Sequence, residues 1–322
     1  MKIAILGATS EIAKDLIRWL LFVPGYECVL FARRPDAVTT WLADQRLPNG
    51  FAVKYFDQLF EISDFDAIIN FVGVGNPALA AQMGASILNV TASYDDLALA
   101  YVKNRPACRY IFLSSGAVYG ENFDAPVTCA SRAIFPINDS QITNWYSVAK
   151  FYAEMRHRTL SEQSIIDIRV FNYISRYQNI NARFLLTDMI RAIKEPTIFK
   201  TSTSNFYRDY LSPVDFCQLI ACVLNGPNIN SAIDCFTKAP VDKHSLLNSM
   251  SQRFGLVYEF TKELGSANVT GLKPNYFSTN QLATELFGYI PQKTALEAVV
   301  EETGAILNSK EVSTPKTIGM AS

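Results

Sequence analysis

Tyr146 and Lys150 stand four residues apart in the stretch Asn144-Trp145-Tyr146-Ser147-Val148-Ala149-Lys150. The pattern that follows predicts a helix from Tyr146 to Leu160, and side chains at i and i+4 share a helix face. A phenol and an ammonium pointing into one cavity form an acid–base pair, because the cation favours the phenolate and lowers the tyrosine pKa towards neutrality. On a solvated helix face the same spacing does no chemistry. The pair therefore takes its meaning from what the rest of the chain places beside it.

The elements that must position it begin at the first residues. Ile3-Ala4-Ile5-Leu6 is an unbroken apolar run that ends at Gly7, and Thr9 or Ser10 can cap a helix running from about Glu11 to Phe22, closed by Pro24-Gly25. Strand, glycine turn and helix is the context in which free N–H groups at a helix start meet a pyrophosphate. Against a GxxGxxG pattern only Gly7 remains. Ala13 keeps the small residue needed for packing, and Ser10 replaces a glycine with a hydroxyl that can itself bond a phosphate. The second strand, Glu27–Ala32, runs into Arg33-Arg34 with no acid before Asp36. A carboxylate there would hold the ribose diol of NAD, whereas guanidinium forks suit the 2′-phosphate of NADP. The arginines favour NADP, and Asp36 leaves NAD open.

Helix 36–45, strand 51–56 ending at Asp57, strand 66–73 running into Gly73-Val74-Gly75, helices at 78–83 and up to Lys103, strand 109–115 and strand 165–171 ending at Asn172 continue the alternation. That order predicts an α/β fold, a doubly wound parallel sheet of the Rossmann type over residues 1–172. Ligands of such sheets bind beyond the carboxyl ends of the strands, and Gly7, Arg33, Asp57, Gly73 and Ser115 all lie at such ends. After Asn172 the alternation lapses. Helices near 184–194, 216–224, 243–254 and 293–307, with short elements such as 232–236 and 281–287 between them, predict a smaller, mostly helical substrate domain over 173–308. Within it, 209–240 is a candidate for return to the first domain, and the polar tail 309–322 is expected to fray.

Composition narrows the classes. The 322 residues are 49% hydrophobic and 18% charged, enough for a core large enough to divide in two. With 29 basic and 30 acidic residues and no basic run, nucleic acid has no electrostatic footprint to bind. Six cysteines without a CxxC pair fit free thiols in a reducing cytosol. Two histidines, His157 and His244, without HExxH speak against a metal site, and neither has a neighbourhood that supports a Ser-His-Asp nucleophile. The opening six residues are too short for a signal peptide, and the apolar run 17–23 is too short to span a bilayer and contains Arg18. A cytoplasmic protein without metal or membrane partner is expected.

Taken together, the motifs resemble the extended short-chain dehydrogenase/reductase family, in particular its nucleotide-sugar epimerases, dehydratases and reductases. Tyr146–Lys150 matches YxxxK, and Ser114-Ser115-Gly116-Ala117-Val118-Tyr119-Gly120 resembles the segment that carries the catalytic hydroxyl. Arg169-Val170-Phe171-Asn172 resembles the Arg-x-x-Asn of the sixth strand. Arg208–Asp215, Asn275–Ser278 and Leu286–Pro291 resemble later motifs in the same order. The resemblance implies Ser115, Tyr146 and Lys150 as catalytic residues. It implies cofactor contacts from Gly7, Thr9, Ser10, Glu11, Ile12, Arg33, Arg34, Asp57, Gln58, Phe71, Val72, Gly73 and Lys150. Ser115, Gly116, Tyr146, Asn172 and Arg208 would contact a nucleotide-diphosphate sugar, with Arg208 on the diphosphate. A homodimer built on the helices at 88–103 and 146–160 is implied as well. Two departures stand out. Tyr173-Ile174-Ser175-Arg176 replaces the family's Gly-Pro, and Gly116-Ala117 stands where 4,6-dehydratases carry Asp-Glu, which disfavours a dehydratase. The expected function is NADPH-dependent reduction of a nucleotide-diphosphate keto-deoxysugar, with Tyr146 as proton donor. The alternatives are an NAD-dependent nucleotide-sugar 4-epimerase and a cofactor-binding relative without catalysis.

Overall fold

The computed structural model describes residues 1–47, 50–74, 80, 82–121, 123–136, 138, 145–261 and 273–308. Its centre is strand β1 (Lys2–Leu6), whose side chains alternate between two faces. Ile3 and Ile5 join one apolar cluster and Ala4 and Leu6 join another on the opposite side. Such a strand reads as a continuous apolar run because both of its faces are covered.

Six further strands join it: β2 (Glu27–Phe31), β3 (Ala52–Lys54), β4 (Ala67–Asn70), β5 (Arg109–Ser115), β6 (Ile165–Val170) and β11 (Asn230–Asp234). All run parallel, in the order β3-β2-β1-β4-β5-β6-β11. Winding reverses between β1 and β4, which opens a crevice at the carboxyl ends of those two strands. Helices α1 (Glu11–Leu20) and α6 (Pro213–Asn225) cover the Ile3/Ile5 face; α3 (Ser86–Lys103) and α4 (Trp145–Arg158) cover the other, and α2 (Pro35–Asp44) links β2 to β3. The doubly wound Rossmann-like sheet read from the sequence is the fold observed.

The remaining elements build a second apolar cluster from Ile174, Leu186, Met189, Ile190, Leu247, Met250 and Val299, among others. It is formed by α5 (Leu185–Lys194), α7 (Lys243–Phe254) and α9 (Ala295–Asn308), with α8 (Leu282–Phe287) against the first cluster. Between them lie short strands. β7 (Asn172–Tyr173) pairs with β10 (Tyr210–Leu211), and β8 (Phe199–Thr201) with β13 (Tyr258–Phe260). β9 (Tyr207–Arg208) lies between β12 (Val241–Asp242) and β14 (Asn275–Tyr276). The chain thus leaves the main sheet after β6 and returns to it with α6 and β11.

Boundaries moved where local hydrogen bonding competes with pattern. The strand expected over 51–56 stops at Lys54, because the Gln58 side chain accepts the Tyr55 N–H at 3.0 Å and starts a 3-10 turn over Phe56–Glu61. Of the helix expected at 78–83, residues 80, 82 and 83 are helical and the others lie outside the described residues, as does the tail 309–322. No described helix is long and apolar enough to cross a membrane.

Phe216 of α6 is fully buried, with ring centroids 6.2 Å from Phe71 and 5.9 Å from Tyr173. Phe216→Ala is expected to cost ~3–5 kcal/mol of stability, read by urea unfolding. A loss below about 1 kcal/mol would show that this seam between sheet and helix is not a packed core.

Candidate active site

Gly7 makes the first wall of the crevice. Its φ of +83° lies in the left-handed region, and a Cβ there would approach the Phe71 carbonyl carbon and the Val72 nitrogen to 3.0 Å. Only glycine lets the end of β1 come this close to the chain leaving β4. The turn is fixed by N–H groups of Gly7 and Ala8, which donate to the Phe31 carbonyl at 2.9 and 3.2 Å, and by Ser10 N–H donating to Gly7 O at 2.9 Å. Ser10 is the N-cap of α1 and its hydroxyl makes no capping hydrogen bond. The helix therefore offers both a hydroxyl and its first N–H groups to an anion.

A cavity of about 230 Å³ lies against this turn, lined by Gly7, Thr9, Ser10, Ala32, Arg33, Phe56, Phe71, Val72, Gly73 and Tyr94. Seven of the positions expected to hold a cofactor meet there: Gly7, Thr9, Ser10, Arg33, Phe71, Val72 and Gly73. Lys150 joins from behind the wall, since a Cβ on Gly73 would stand 3.4 Å from its Nζ. The others do different work. The Glu11 carboxylate accepts the Asn179 N–H at 3.1 Å, Ile12 packs on the apolar cluster, and the Gln58 amide caps its own turn. Arg34 and Asp57 are exposed outside the lining. Sequence reasoning missed Phe56 and Tyr94, whose rings sit 4.6 Å apart on one flank of the cavity. Nothing in the local pattern distinguishes Tyr94 from any other tyrosine on a long helix.

At the neighbouring strand end, Ser115 closes β5 and caps the 3-10 turn Gly116–Tyr119, its hydroxyl accepting the Ala117 N–H at 3.2 Å. The phenols of Tyr146 and Tyr276 stand near the same hydroxyl, which favours their charged forms. Burial pushes the Tyr146 phenol up, and the Ser115 hydroxyl pulls the other way. This corrects the expectation that Lys150 lowers it. Lys150 is 4% exposed; its ammonium donates to the Leu113 carbonyl at 2.6 Å and stands 4.3 Å over the Phe112 ring. It lies 5.9 Å from the centre of the Tyr146 ring. Burial drops the Lys150 pKa to about 8, opposed by Asp95, Asp167 and Glu154.

Beyond Ser115 the cleft is aromatic and cationic. Gly116 lies against the Phe171 ring, whose centroid is 5.2 Å from that of Tyr276. Arg208 is buried, and its Nη1 donates to the carbonyls of Tyr207 at 2.9 Å and of Lys273 at 2.5 Å. Among the described residues no carboxylate pairs with it, and burial lowers its pKa. The ammonium of Lys273 lies over Phe123 and Tyr276 at 4.7 and 4.8 Å; burial and the charge of Arg208 push it down to about 8. Two crowded cations, of which Lys273 also feels the Glu121 carboxylate, make a site for a polyanionic group. Lys273 escaped the sequence reading because no motif carries it, and Tyr276 because its motif gave it no role. Asn172, expected at the substrate, commits its amide N–H to the Asp209 carbonyl at 2.9 Å, so it holds the Arg208 segment in place.

This combination of phosphate turn, strand-end hydroxyl and YxxxK helix agrees with the family comparison. The model of the NAD dependent epimerase/dehydratase family matches residues 3–232, and the chain belongs to that family. By sequence, no curated protein matches it. Among solved structures, it is similar to a UDP-glucuronic acid 4-epimerase from Bacillus cereus in complex with UDP-glucuronic acid and NAD. There the TM-score is 0.76 at 18% identity, covering 95% of this chain and 99% of the other. It is similar also to the UDP-glucose 4-epimerase of Thermotoga maritima with UDP-glucose (TM-score 0.77, 14% identity, 95% and 99% covered). A third is the dTDP-glucose 4,6-dehydratase of Bacillus anthracis in complex with NAD (TM-score 0.76, 16% identity, 96% and 97% covered). At such identities the likeness is one of fold.

Gly7→Ala forces a side chain into a left-handed turn against backbone atoms and is expected to destabilise the protein by ~1–3 kcal/mol. Unchanged urea unfolding would mean that the turn can relax and that Gly7 is not the constraint described.

Proposed function

We propose that the protein is an NAD-dependent nucleotide-sugar 4-epimerase. The observation that carries this reading is the placing of the Tyr146 phenol near the Ser115 hydroxyl, beside a lysine that reaches the wall of the crevice at Gly73. The residues fit the cofactor of the family: a glycine-only approach at Gly7, an uncapped Ser10 hydroxyl, and a cavity whose wall at Gly73 is backed by Lys150. Gly7, Thr9, Ser10, Arg33, Phe71, Val72, Gly73 and Lys150 would hold it. When bound, NAD supplies acceptance and return of a hydride at the sugar carbon.

The chain's own part is proton management and orientation. The Tyr146 oxygen takes the proton of the sugar hydroxyl while the C–O bond becomes a carbonyl, and gives the proton back to that oxygen after the sugar has presented its other face. Ser115 holds the reacting oxygen and shares its developing charge. Lys150 would hold the cofactor from behind the crevice wall at Gly73. Arg208 and Lys273 would neutralise the diphosphate of the substrate, where a planar fork and a point charge act together. Gly116-Ala117 leaves no acid after Ser115 for eliminating water, which supports epimerisation over dehydration.

The first expectation, an NADPH-dependent keto-deoxysugar reductase, rests on exposed Arg33 and Arg34 and on the missing acid at the end of β2. The relatives favour the other reading, since the Bacillus cereus and Bacillus anthracis structures contain NAD. Homodimerisation is part of the proposal, supported by Tyr152 and Met155, which expose 52% and 43% of their surface on α4.

The deciding experiment incubates the purified protein with NAD and a panel of UDP- and dTDP-hexoses. Interconversion of C4 epimers without net change in nicotinamide absorbance is expected. Net consumption of NADPH on nucleotide keto-deoxysugars, with no epimer formed, would replace this reading by reduction. Tyr146→Phe should lower turnover by roughly 10²–10⁴-fold with the melting temperature unchanged; full turnover would remove Tyr146 from the chemistry.

A further inference from the structure

Tyr146, Lys150, Glu154 and His157 follow one another at spacings of four, four and three residues, and so line one face of α4. A helix face turned towards a sheet is ordinarily apolar, yet each of these side chains makes a polar contact with β5, β6 or α3. Tyr146 stands near the Ser115 hydroxyl, Lys150 bonds the Leu113 carbonyl, and Glu154 accepts from the Ser114 hydroxyl at 2.6 Å and from Arg169 Nε at 3.0 Å.

His157 ends the row. It is wholly buried, with Nδ1 2.6 Å from Asp167 Oδ1 on β6 and Nε2 2.8 Å from Asp95 Oδ1 on α3. Both ring nitrogens face carboxylate oxygens, so only the doubly protonated ring, with two N–H donors, satisfies both contacts. The rings of Phe112 and Tyr110 stand edge-on to it at 5.2 and 5.4 Å. From α4 itself, Arg156 Nη1 bonds Asp95 Oδ2 at 3.1 Å and Arg158 bonds Asp167 Oδ2. The Tyr110 hydroxyl donates to Asp95 Oδ1 at 2.8 Å and accepts from Asn70 Nδ2 at 2.9 Å, and Asn70 Oδ1 accepts the Val72 N–H at 2.9 Å. Val72 lines the cavity. From β11, the Asn230 amide bonds the His157 carbonyl at 2.9 Å.

We propose that His157 is a positioning residue, a buried imidazolium that clasps Asp95 of α3 to Asp167 of β6 and so fixes the register in which α4 presents Tyr146 and Lys150 to Ser115. The functional half of this proposal rests on the reading of that pair as the reacting groups; the charged clasp itself does not. Burial draws the imidazole pKa down, but Asp167 and Asp95 outweigh it and push it up to about 9. A cation whose pKa is raised on folding stabilises the fold fully below its unfolded value of about 6.5. That stabilisation is lost as pH rises through the folded value.

The chain has only two histidines, and His244 is exposed. His244→Gln therefore leaves His157 as the single imidazole for ¹⁵N NMR titration. Both ring nitrogens are expected to stay protonated at neutral pH and to titrate near 9; a neutral ring at pH 7 overturns the clasp. In His157→Gln, kcat for epimerisation should fall about tenfold to a hundredfold with KM within about threefold, as for small misplacement of reacting groups. Its melting temperature should also lack the fall expected of wild type between about pH 6.5 and pH 9. A kcat within about twofold of wild type, or an unaltered pH slope of melting, overturns the positioning role. If the protein catalyses no epimerisation, the proposed function fails, while the NMR and melting results still decide the clasp.

Discussion

A primary ammonium held almost wholly out of water is the constraint on which the rest of this structure depends. Lys150 has one carbonyl, Leu113, within hydrogen-bond distance and an aromatic face beneath it. A lone ammonium in such a place would shed its proton. Carboxylates at Asp95, Asp167 and Glu154 oppose that, but they are buried too and need cations of their own. His157, Arg156, Arg158 and Arg169 supply them. The region under Ser115 and Tyr146 is thus a closed polar block between α3, α4, β5 and β6, and removing one partner leaves an uncompensated charge.

The block connects the two ends of the chemistry. Through Glu154 and Ser114 it reaches the residue next to Ser115; through Tyr110 and Asn70 it reaches the cavity wall at Val72. Tyr119, Arg169, Asp234 and Ser278 extend it to β11 and to the segment after Tyr276. The polar residues of this core are therefore part of the same construction as the cleft above them.

The fold was legible because both faces of the sheet are covered. Runs such as Ile3–Leu6 and Ile165–Ile168 announce themselves without help from partners, and glycine or a hydroxyl marks where they stop. The phosphate turn was legible for the same reason, since it is local in sequence. What did not show is assembled from distant pieces. Lys273 is a cation beside Arg208 only because β14 pairs with β9, and Tyr94 lines the cavity only because α3 crosses Phe56. His157 looked like a histidine without support because its partners lie 62 and 10 residues away. Gln58 and Asn172 were assigned to ligands, and their amides serve backbone groups instead. A motif gives a residue's neighbourhood, while its hydrogen-bond commitments depend on the folded chain.

The return of α6 and β11 to the main sheet bears on how the protein is made. Until residue 234 has left the ribosome, β6 is a bare sheet edge, and the face carrying Ile3, Ile5 and Ile168 lacks Phe216, Leu219 and Ile220. A nascent chain stopping after Asn172 would hold the whole turn at Gly7 and all three of Ser115, Tyr146 and Lys150, yet leave the apolar face met by α6 uncovered. Synthesis thus runs through the segment bearing Arg208 before the first sheet can close. The order of translation means that the Arg208 end of the cleft and the Gly7 end take shape together.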